Sequence, residues 1–235
     1  MKLIKIIGGA IVGVVAVAAV PFTGGGSLLV GAAALGLGTT GAVIGAFAAG
    51  VAGGTFGYFF SKDDKANKLG ILGMKDSGKT TFLNNLRGIQ TKPMTTSREK
   101  YDSFEFKLSN GKNINIEKGE DIGGDKNYMA LYKEIVKNNH VILYFFNVCR
   151  YLTEMEYLRE CNSRLDFIDS SSVNKKIVII ASHSDLSKNS KQVLIEEILH
   201  QVKDKKYSHL FNDGFFVVNL TDNKEVKEVI DRIFG

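Results

Sequence analysis

The chain has 235 residues, with 30 Lys or Arg, 25 Asp or Glu and two cysteines. This length allows one domain of ordinary size and a further segment. The two cysteines lack metal-ligand or redox spacing, which argues against a disulfide scaffold. Beyond position 61, 28 basic and 25 acidic residues remain without a basic cluster, so no nucleic acid is expected as a partner.

The N-terminal part contains a long uncharged run. From Ile6 to Ser61 there are 56 residues without a charged side chain or histidine, and they include 15 of the 25 glycines. A helix that crosses a bilayer needs about 20 apolar residues, so the run is long enough for two. Pro21 and the glycines at 24–26 favour a turn between them. The sequence predicts an α-helical membrane hairpin over 1–61, with helices at about 3–20 and 27–60.

The charges at both ends of the run indicate its orientation. Lys2 and Lys5 precede it, and Lys62, Lys65 and Lys68 follow it. Because positive flanks tend to stay in the cytoplasm, both ends are expected there. The predicted location is a membrane crossed more than once, with the lipid bilayer as a partner and residues 68–235 in the cytoplasm behind a charged linker at 62–67.

Other interpretations of the N-terminal run remain open. Glycines four apart, as in the pairs Gly41/Gly45 and Gly50/Gly54, resemble a glycine zipper and would permit close helix packing and homo-oligomers. They are equally compatible with simple small-residue filling. The run is also compatible with a cleaved signal peptide, with a hairpin that inserts only on a trigger or into a partner, or with a buried soluble hairpin.

Residues 68–235 alternate between strand and helix patterns, which is typical of a parallel sheet covered by helices on both sides. Around Asn110 and Gly111 two segments alternate with period two, which predicts a hairpin that adds one antiparallel strand. The predicted strands are 68–72, 104–108, 112–116, 140–148, 176–181 and 215–219, and the predicted helices are 79–87, 127–138, 152–168, 191–203 and 224–234.

A phosphate-binding loop is predicted between the first strand and the first helix. The segment from Gly73 to Thr80 fits G-x-x-x-x-G-K-[ST] in the strand-to-helix setting that this motif requires. Its backbone N–H groups and the helix N-terminus would surround the phosphates, while Lys79 would reach the β- and γ-phosphates and Thr80 would bind Mg²⁺. The predicted ligand contacts here are Gly73, Lys75, Asp76, Ser77, Gly78, Lys79, Thr80 and Thr81.

A second motif follows the predicted hairpin. Asp121-Ile122-Gly123-Gly124 fits D-x-x-G, and with this motif order the region from Leu69 to Phe234 resembles the Ras-like GTPases, most closely the Arf branch. The resemblance implies a P-loop NTPase fold, GTP or GDP with Mg²⁺ as ligands, Asp121 near the metal through water, and the Gly124 amide at the γ-phosphate. A simple glycine turn is the alternative.

The resemblance also implies residues for switching and hydrolysis. A threonine that closes on Mg²⁺ when the γ-phosphate is present would be Thr95 or Thr96, unless both are plain loop residues. Asp125 stands where a glutamine normally orients the attacking water, and its negative charge predicts slow intrinsic hydrolysis. The residues assigned to catalysis are Lys79, Thr96, Gly124 and Asp125, and those assigned to the metal are Thr80, Thr95, Thr96 and Asp121.

The guanine-specifying motif is expected after the strand at 176–181, where Ser182, His183 and Asp185 are found. Asp185 would accept from guanine N1 and N2, which would reject adenine by leaving buried polar groups unpaired. Its alternative is a helix N-cap. Ser182 and His183 depart from the usual Asn or Thr and Lys. The segment Asn219-Leu220-Thr221 lies where a last contact with the base is expected, and Leu220 is assigned to it.

These features predict a membrane-anchored GTP-binding switch that depends on the γ-phosphate and acts with an unidentified protein effector or GTPase activator. Two alternatives use the same residues. The first is an effector whose GTP state controls insertion or pore formation by the hairpin. The second is a non-catalytic nucleotide-binding scaffold at a membrane.

Overall fold

The computed structural model describes residues 67–89, 98–172, 175–212 and 214–235. The predicted hairpin over 1–61, most of the linker, and Thr95 and Thr96 lie outside these residues. The strands are β1 (Leu69–Gly73), β2 (Arg98–Tyr101), β3 (Phe104–Lys107), β4 (Asn113–Ile116), β5 (Gly119–Ile122), β6 (Val141–Asn147), β7 (Lys176–Ser182) and β8 (Phe215–Val217).

Six of these strands form one sheet in the order β2-β5-β1-β6-β7-β8. All neighbouring pairs in it are parallel except β2 with β5. Parallel strands need covered faces, and β6 is buried along its whole length. The predicted α/β fold, with a mostly parallel sheet and one antiparallel strand, is confirmed.

The antiparallel strand is not the one that the sequence suggested. β3 and β4 form the expected hairpin, but they make a separate two-stranded sheet. The pairing of Phe104 with Ile116 continues in the same register to the pairing of Tyr101 with Gly119, so β2 and β5 extend the same ribbon into the main sheet. The pattern missed β2 because it is an edge strand with three of its four residues exposed.

The helices occupy the segments predicted for them, with one exception. The helix expected over 152–168 is two helices, which are separated at Glu154, where the backbone is extended (φ −109°, ψ 107°). No glycine or proline marks this break. The helices are α1 (Lys79–Leu86), α2 (Met129–Asn138), α3 (Val148–Thr153), α4 (Met155–Ser171), α5 (Lys191–Val202) and α6 (Asn223–Phe234).

Apolar side chains fill both faces of the sheet. On one face, Leu143 and Phe145 of β6 pack in a cluster with residues of α1 and α6. On the other face, the hydroxyl of Tyr144 reaches Cys161 of α4 at 3.6 Å. Within the described ranges no helix has the length and apolar character needed to cross a membrane.

Because β1, β6 and β7 are parallel neighbours, their carboxyl ends meet at one edge of the sheet. This edge is where ligands bind in open α/β sheets.

Candidate nucleotide-binding site

The predicted phosphate loop joins β1 to α1, and its backbone explains its glycines. Gly78 precedes α1 with φ +80°, and Gly73 ends β1 with φ +144°. A Cβ atom on Gly78 would overlap with the side chain of Leu220, and one on Gly73 would overlap with the backbone of Phe145. Both positions therefore require glycine by conformation, and Gly73 also requires it by space, because the backbone of Phe145 cannot move aside as the end of the Leu220 side chain can.

Two side chains of the loop are bonded to its own backbone. The Lys79 ammonium and the Ser77 hydroxyl each donate to the carbonyl O of Met74 at 2.7 Å. Lys79 is 6% exposed, and its burial lowers its pKa to about 8, although the charge of Asp121 acts in the opposite direction. The loop thus holds a buried cation inside the curve that would enclose the phosphates.

The residues predicted to hold the metal lie together. The Thr80 hydroxyl donates to Asp121 Oδ2 at 2.5 Å, and Asp121 Oδ1 is buried with no hydrogen-bond partner among the described residues. Burial raises the pKa of Asp121, and the bond from Thr80 and the charge of Lys79 lower it less. An unpartnered carboxylate oxygen beside a hydroxyl fits Mg²⁺, which prefers oxygen ligands.

The D-x-x-G turn packs directly on the phosphate loop. A Cβ atom on Gly124 would overlap with the backbone of Met74 and Lys75. Gly124 is therefore required for the turn to approach the loop. Asp125 lies on the exposed side, where its carboxylate accepts from the backbone N–H of Asn127 at 3.0 Å and caps the short 3₁₀ helix at Lys126–Tyr128.

The segment after β7 carries the predicted base contacts. Ser182 is fully buried, and its hydroxyl, which has one hydrogen to donate, lies 2.9 Å from the carbonyl oxygen of Ser77 and 3.1 Å from that of Phe146. The same hydroxyl lies 2.7 Å from Nδ1 of His183. His183 follows with φ +63°, and its pKa is lowered by burial. Asp185 is exposed in the 3₁₀ helix at Ser184–Leu186, whose N-cap is His183. Asp185 therefore does not cap this helix, and its carboxylate lies at the cavity instead.

One cavity of about 310 Å³ brings the separate motifs together. Ser182 and Asp121 do not line the cavity, but each is hydrogen-bonded to a residue that does, Ser77 and Thr80 respectively. Gly73 and Asp125 are also absent from its lining. Thr221 lines the cavity together with Leu220, in the segment expected to make the last contact with the base. The lining residues are Lys75, Asp76, Ser77, Gly78, Lys79, Thr80, Thr81, Ile122, Gly123, Gly124, His183, Asp185, Leu220 and Thr221.

The fold and this cavity define a class of protein. A phosphate loop after β1, an acidic residue bonded to its threonine, and a carboxylate at the far end of the same cavity are the parts of a P-loop GTPase of the Ras-like type.

Comparison with known families agrees with this class. Residues 56–233 match the model of the ADP-ribosylation factor family, so the chain belongs to that family. No curated protein matches the sequence. Membership of this family supports a GTP-binding switch protein with GTPase activity, for which GTP or GDP and Mg²⁺ are the typical ligands.

Proposed function

We propose that this protein is a membrane-anchored, GTP-specific switch with slow intrinsic hydrolysis. The observation that carries the proposal is that Lys79, Gly124 and Asp185, from three separate segments, line the same cavity. These residues would bind the phosphates, sense the γ-phosphate and read the base, respectively. Family membership supports the switch, and we propose in addition its guanine specificity, its slow hydrolysis and its membrane anchor.

Guanine specificity rests on Asp185. Its carboxylate is exposed at the cavity and makes no hydrogen bond to the residues that the structure describes. It is therefore free to accept from guanine N1–H and N2–H, two donors that adenine lacks. Adenine would leave the carboxylate without partners, which is the more costly mismatch.

The switch would operate through the contact between the two loops. Gly124 lies against the backbone of Met74 and Lys75, so a γ-phosphate bound in the loop would meet the D-x-x-G turn directly. Thr80 and Asp121 would hold Mg²⁺, which would neutralise phosphate charge when bound. Loss of the γ-phosphate would release this turn.

Slow hydrolysis follows from Asp125. Its carboxylate is negatively charged and accepts from Asn127 N–H, so it is poorly suited to orient water next to an anionic phosphate. We therefore propose that hydrolysis needs a protein activator. Adding a carboxamide by Asp125→Gln is expected to raise the intrinsic rate.

The membrane anchor rests on the sequence alone. The uncharged run from Ile6 to Ser61 is long enough for two spans, and its glycines would permit homo-oligomers. Alkaline carbonate extraction of membranes that contain the full-length chain tests this proposal. Retention in the pellet supports an inserted anchor, and release into the supernatant contradicts it.

Base competition tests the central claim. GTP and ATP compete for the full-length protein, and GTP is expected to win by about a hundredfold, the value of two hydrogen bonds to a charged group. Asp185→Asn should lose that preference. Xanthosine triphosphate provides the rescue, since its C2 oxygen can accept from the amide introduced by Asp185→Asn. Equal GTP and ATP affinity in the unmodified protein would contradict the proposal.

A further inference from the structure

The first glycine of the phosphate loop is held from behind by side chains that lie outside every motif. On one side Gly73 pairs with Phe145 of β6, and the Met74 N–H donates to the Phe145 carbonyl O at 2.9 Å. On the other side β1 pairs with β5 at Ile71 and Asp121, two residues before Gly73. The N–H and C=O of Gly73 therefore need partners from elsewhere.

Tyr132 of α2 takes the place of the strand. Its hydroxyl accepts from the Gly73 N–H at 3.2 Å and donates to the Gly73 carbonyl O at 3.1 Å. It also accepts from Arg164 Nη1 at 2.9 Å, so all the hydrogen-bonding capacity of the hydroxyl is used. Tyr132 is fully buried. One phenol thus replaces both bonds that a neighbouring strand would supply.

Arg164 of α4 adds a buried positive charge at the same point. It is 1% exposed, its Nη1 donates to the Gly73 carbonyl O at 3.2 Å, and its Nη2 donates to Glu160. Its Nε has no hydrogen-bond partner among the described residues. Burying a guanidinium with an unused donor costs free energy of folding, so its retention at this point calls for an explanation.

The same arginine is connected to the segment that follows the D-x-x-G turn. Glu160 also lies 3.6 Å from the ammonium of Lys126, which is two residues after Gly124. Tyr132 belongs to α2, which begins just beyond Lys126. The segment 126–138 is therefore connected to the phosphate loop twice, once by Tyr132 directly and once through Glu160 and Arg164.

We propose that Tyr132 and Arg164 are positioning residues of the phosphate site, which fix both backbone groups of Gly73 and tie the segment after Gly124 to the loop. This inference rests on the proposed nucleotide-binding function. Neither side chain lines the cavity, so both act on the nucleotide only through Gly73.

Nucleotide titration of single variants tests the inference. The full-length protein and its variants are titrated with GDP and with a non-hydrolysable GTP analogue, and the thermal midpoint is measured without nucleotide. Tyr132→Phe removes only the hydroxyl and is expected to weaken both nucleotides about tenfold. Arg164→Lys keeps the charge but loses the two-pronged geometry, and a loss of about fivefold is expected.

Tyr144→Phe is the matched control. Tyr144 is also fully buried, and its hydroxyl meets Cys161 rather than the loop. It should lower the thermal midpoint as Tyr132→Phe does, while nucleotide affinity stays within about twofold of the unmodified protein. A purely structural role would give the same result for both tyrosines.

Two failures are distinguishable. If the unmodified protein binds GTP in a Lys79-dependent manner while Tyr132→Phe and Arg164→Lys match Tyr144→Phe, the inference is overturned and the proposed function stands. If the unmodified protein binds no GTP, the proposed function falls, and the inference falls with it.

Discussion

The phosphate side and the base side of the cavity are built differently. On the phosphate side, the ammonium of Lys79 and the hydroxyls of Ser77 and Thr80 are already hydrogen-bonded to the loop or to Asp121. On the base side, Asp185 is exposed and makes no hydrogen bond to the described part of the chain. The phosphate side is therefore preorganised, whereas the base side would be completed by the proposed nucleotide.

This difference indicates where binding free energy and specificity arise. A preorganised loop loses little entropy when phosphate binds, so it can supply most of the affinity. An exposed carboxylate contributes mainly through the penalty that a wrong base suffers. One buried hydroxyl joins the two sides, because Ser182 of the base side donates toward the Ser77 carbonyl O of the loop.

The largest expected effect comes from removing the buried cation of the phosphate side. Lys79→Ala should weaken GTP binding by about a hundredfold or more, since a buried charged donor to the phosphates is lost. Isothermal titration with GTP and Mg²⁺ measures the change. Lys133→Ala, on the exposed face of α2, is the control and should bind as the unmodified protein does. Equal affinities for the two variants would refute the assignment of the loop.

A smaller effect is expected from breaking the link between the two sides. Ser182→Ala removes the hydroxyl that donates toward Ser77 and Phe146, and it should cost about 1 kcal/mol of stability and about fivefold in GTP affinity. Chemical denaturation and nucleotide titration measure the two quantities.

The chain offers a matched control for this variant. Ser184 is also buried, but its hydroxyl has no hydrogen-bond partner among the described residues. Ser184→Ala should therefore leave stability unchanged or raise it slightly, because no bond is lost. If both alanine variants behave alike, the two sides of the cavity are not coupled through Ser182.

The phosphate side could be predicted from sequence more fully than the base side. The loop has a fixed spacing because its backbone needs glycine at Gly73 and Gly78, and this requirement is visible in the sequence. Asp185 was recognised only by its place after an apolar strand. Ser182 was predicted to touch the ligand, but it lies behind the cavity wall and bonds the loop instead.

Contacts between residues far apart in the sequence could not be predicted. Tyr132 and Arg164 look like ordinary members of helices α2 and α4, and only the tertiary structure brings them to Gly73. The edge strand β2 was missed for a related reason, because its exposed polar residues carry no apolar alternation. Sequence patterns report the local backbone and burial, whereas these features depend on contacts between distant segments.

The smallest expected effect concerns Lys176, which lies at the opposite end of β7 from Ser182. Lys176 begins β7, and its ammonium donates to the Ile233 carbonyl O near the end of α6 at 3.1 Å. Burial lowers the pKa of Lys176 to about 8, below its ordinary value of 10.5. The folded state thus releases this proton more readily than the unfolded state.

The sign of the pH dependence follows from this difference. Between pH 8 and pH 10.5 the unfolded chain binds more protons at Lys176 than the folded chain does, so this residue should make stability rise with pH across that window. Urea denaturation at several pH values, with reductant present, should show a shallower rise for Lys176→Met than for the unmodified protein. Lys175→Met, which removes a neighbouring lysine that donates to the Lys137 carbonyl O instead, is the control variant. A slope unchanged by Lys176→Met would mean that the Lys176 ammonium is not desolvated where β7 meets the end of α6.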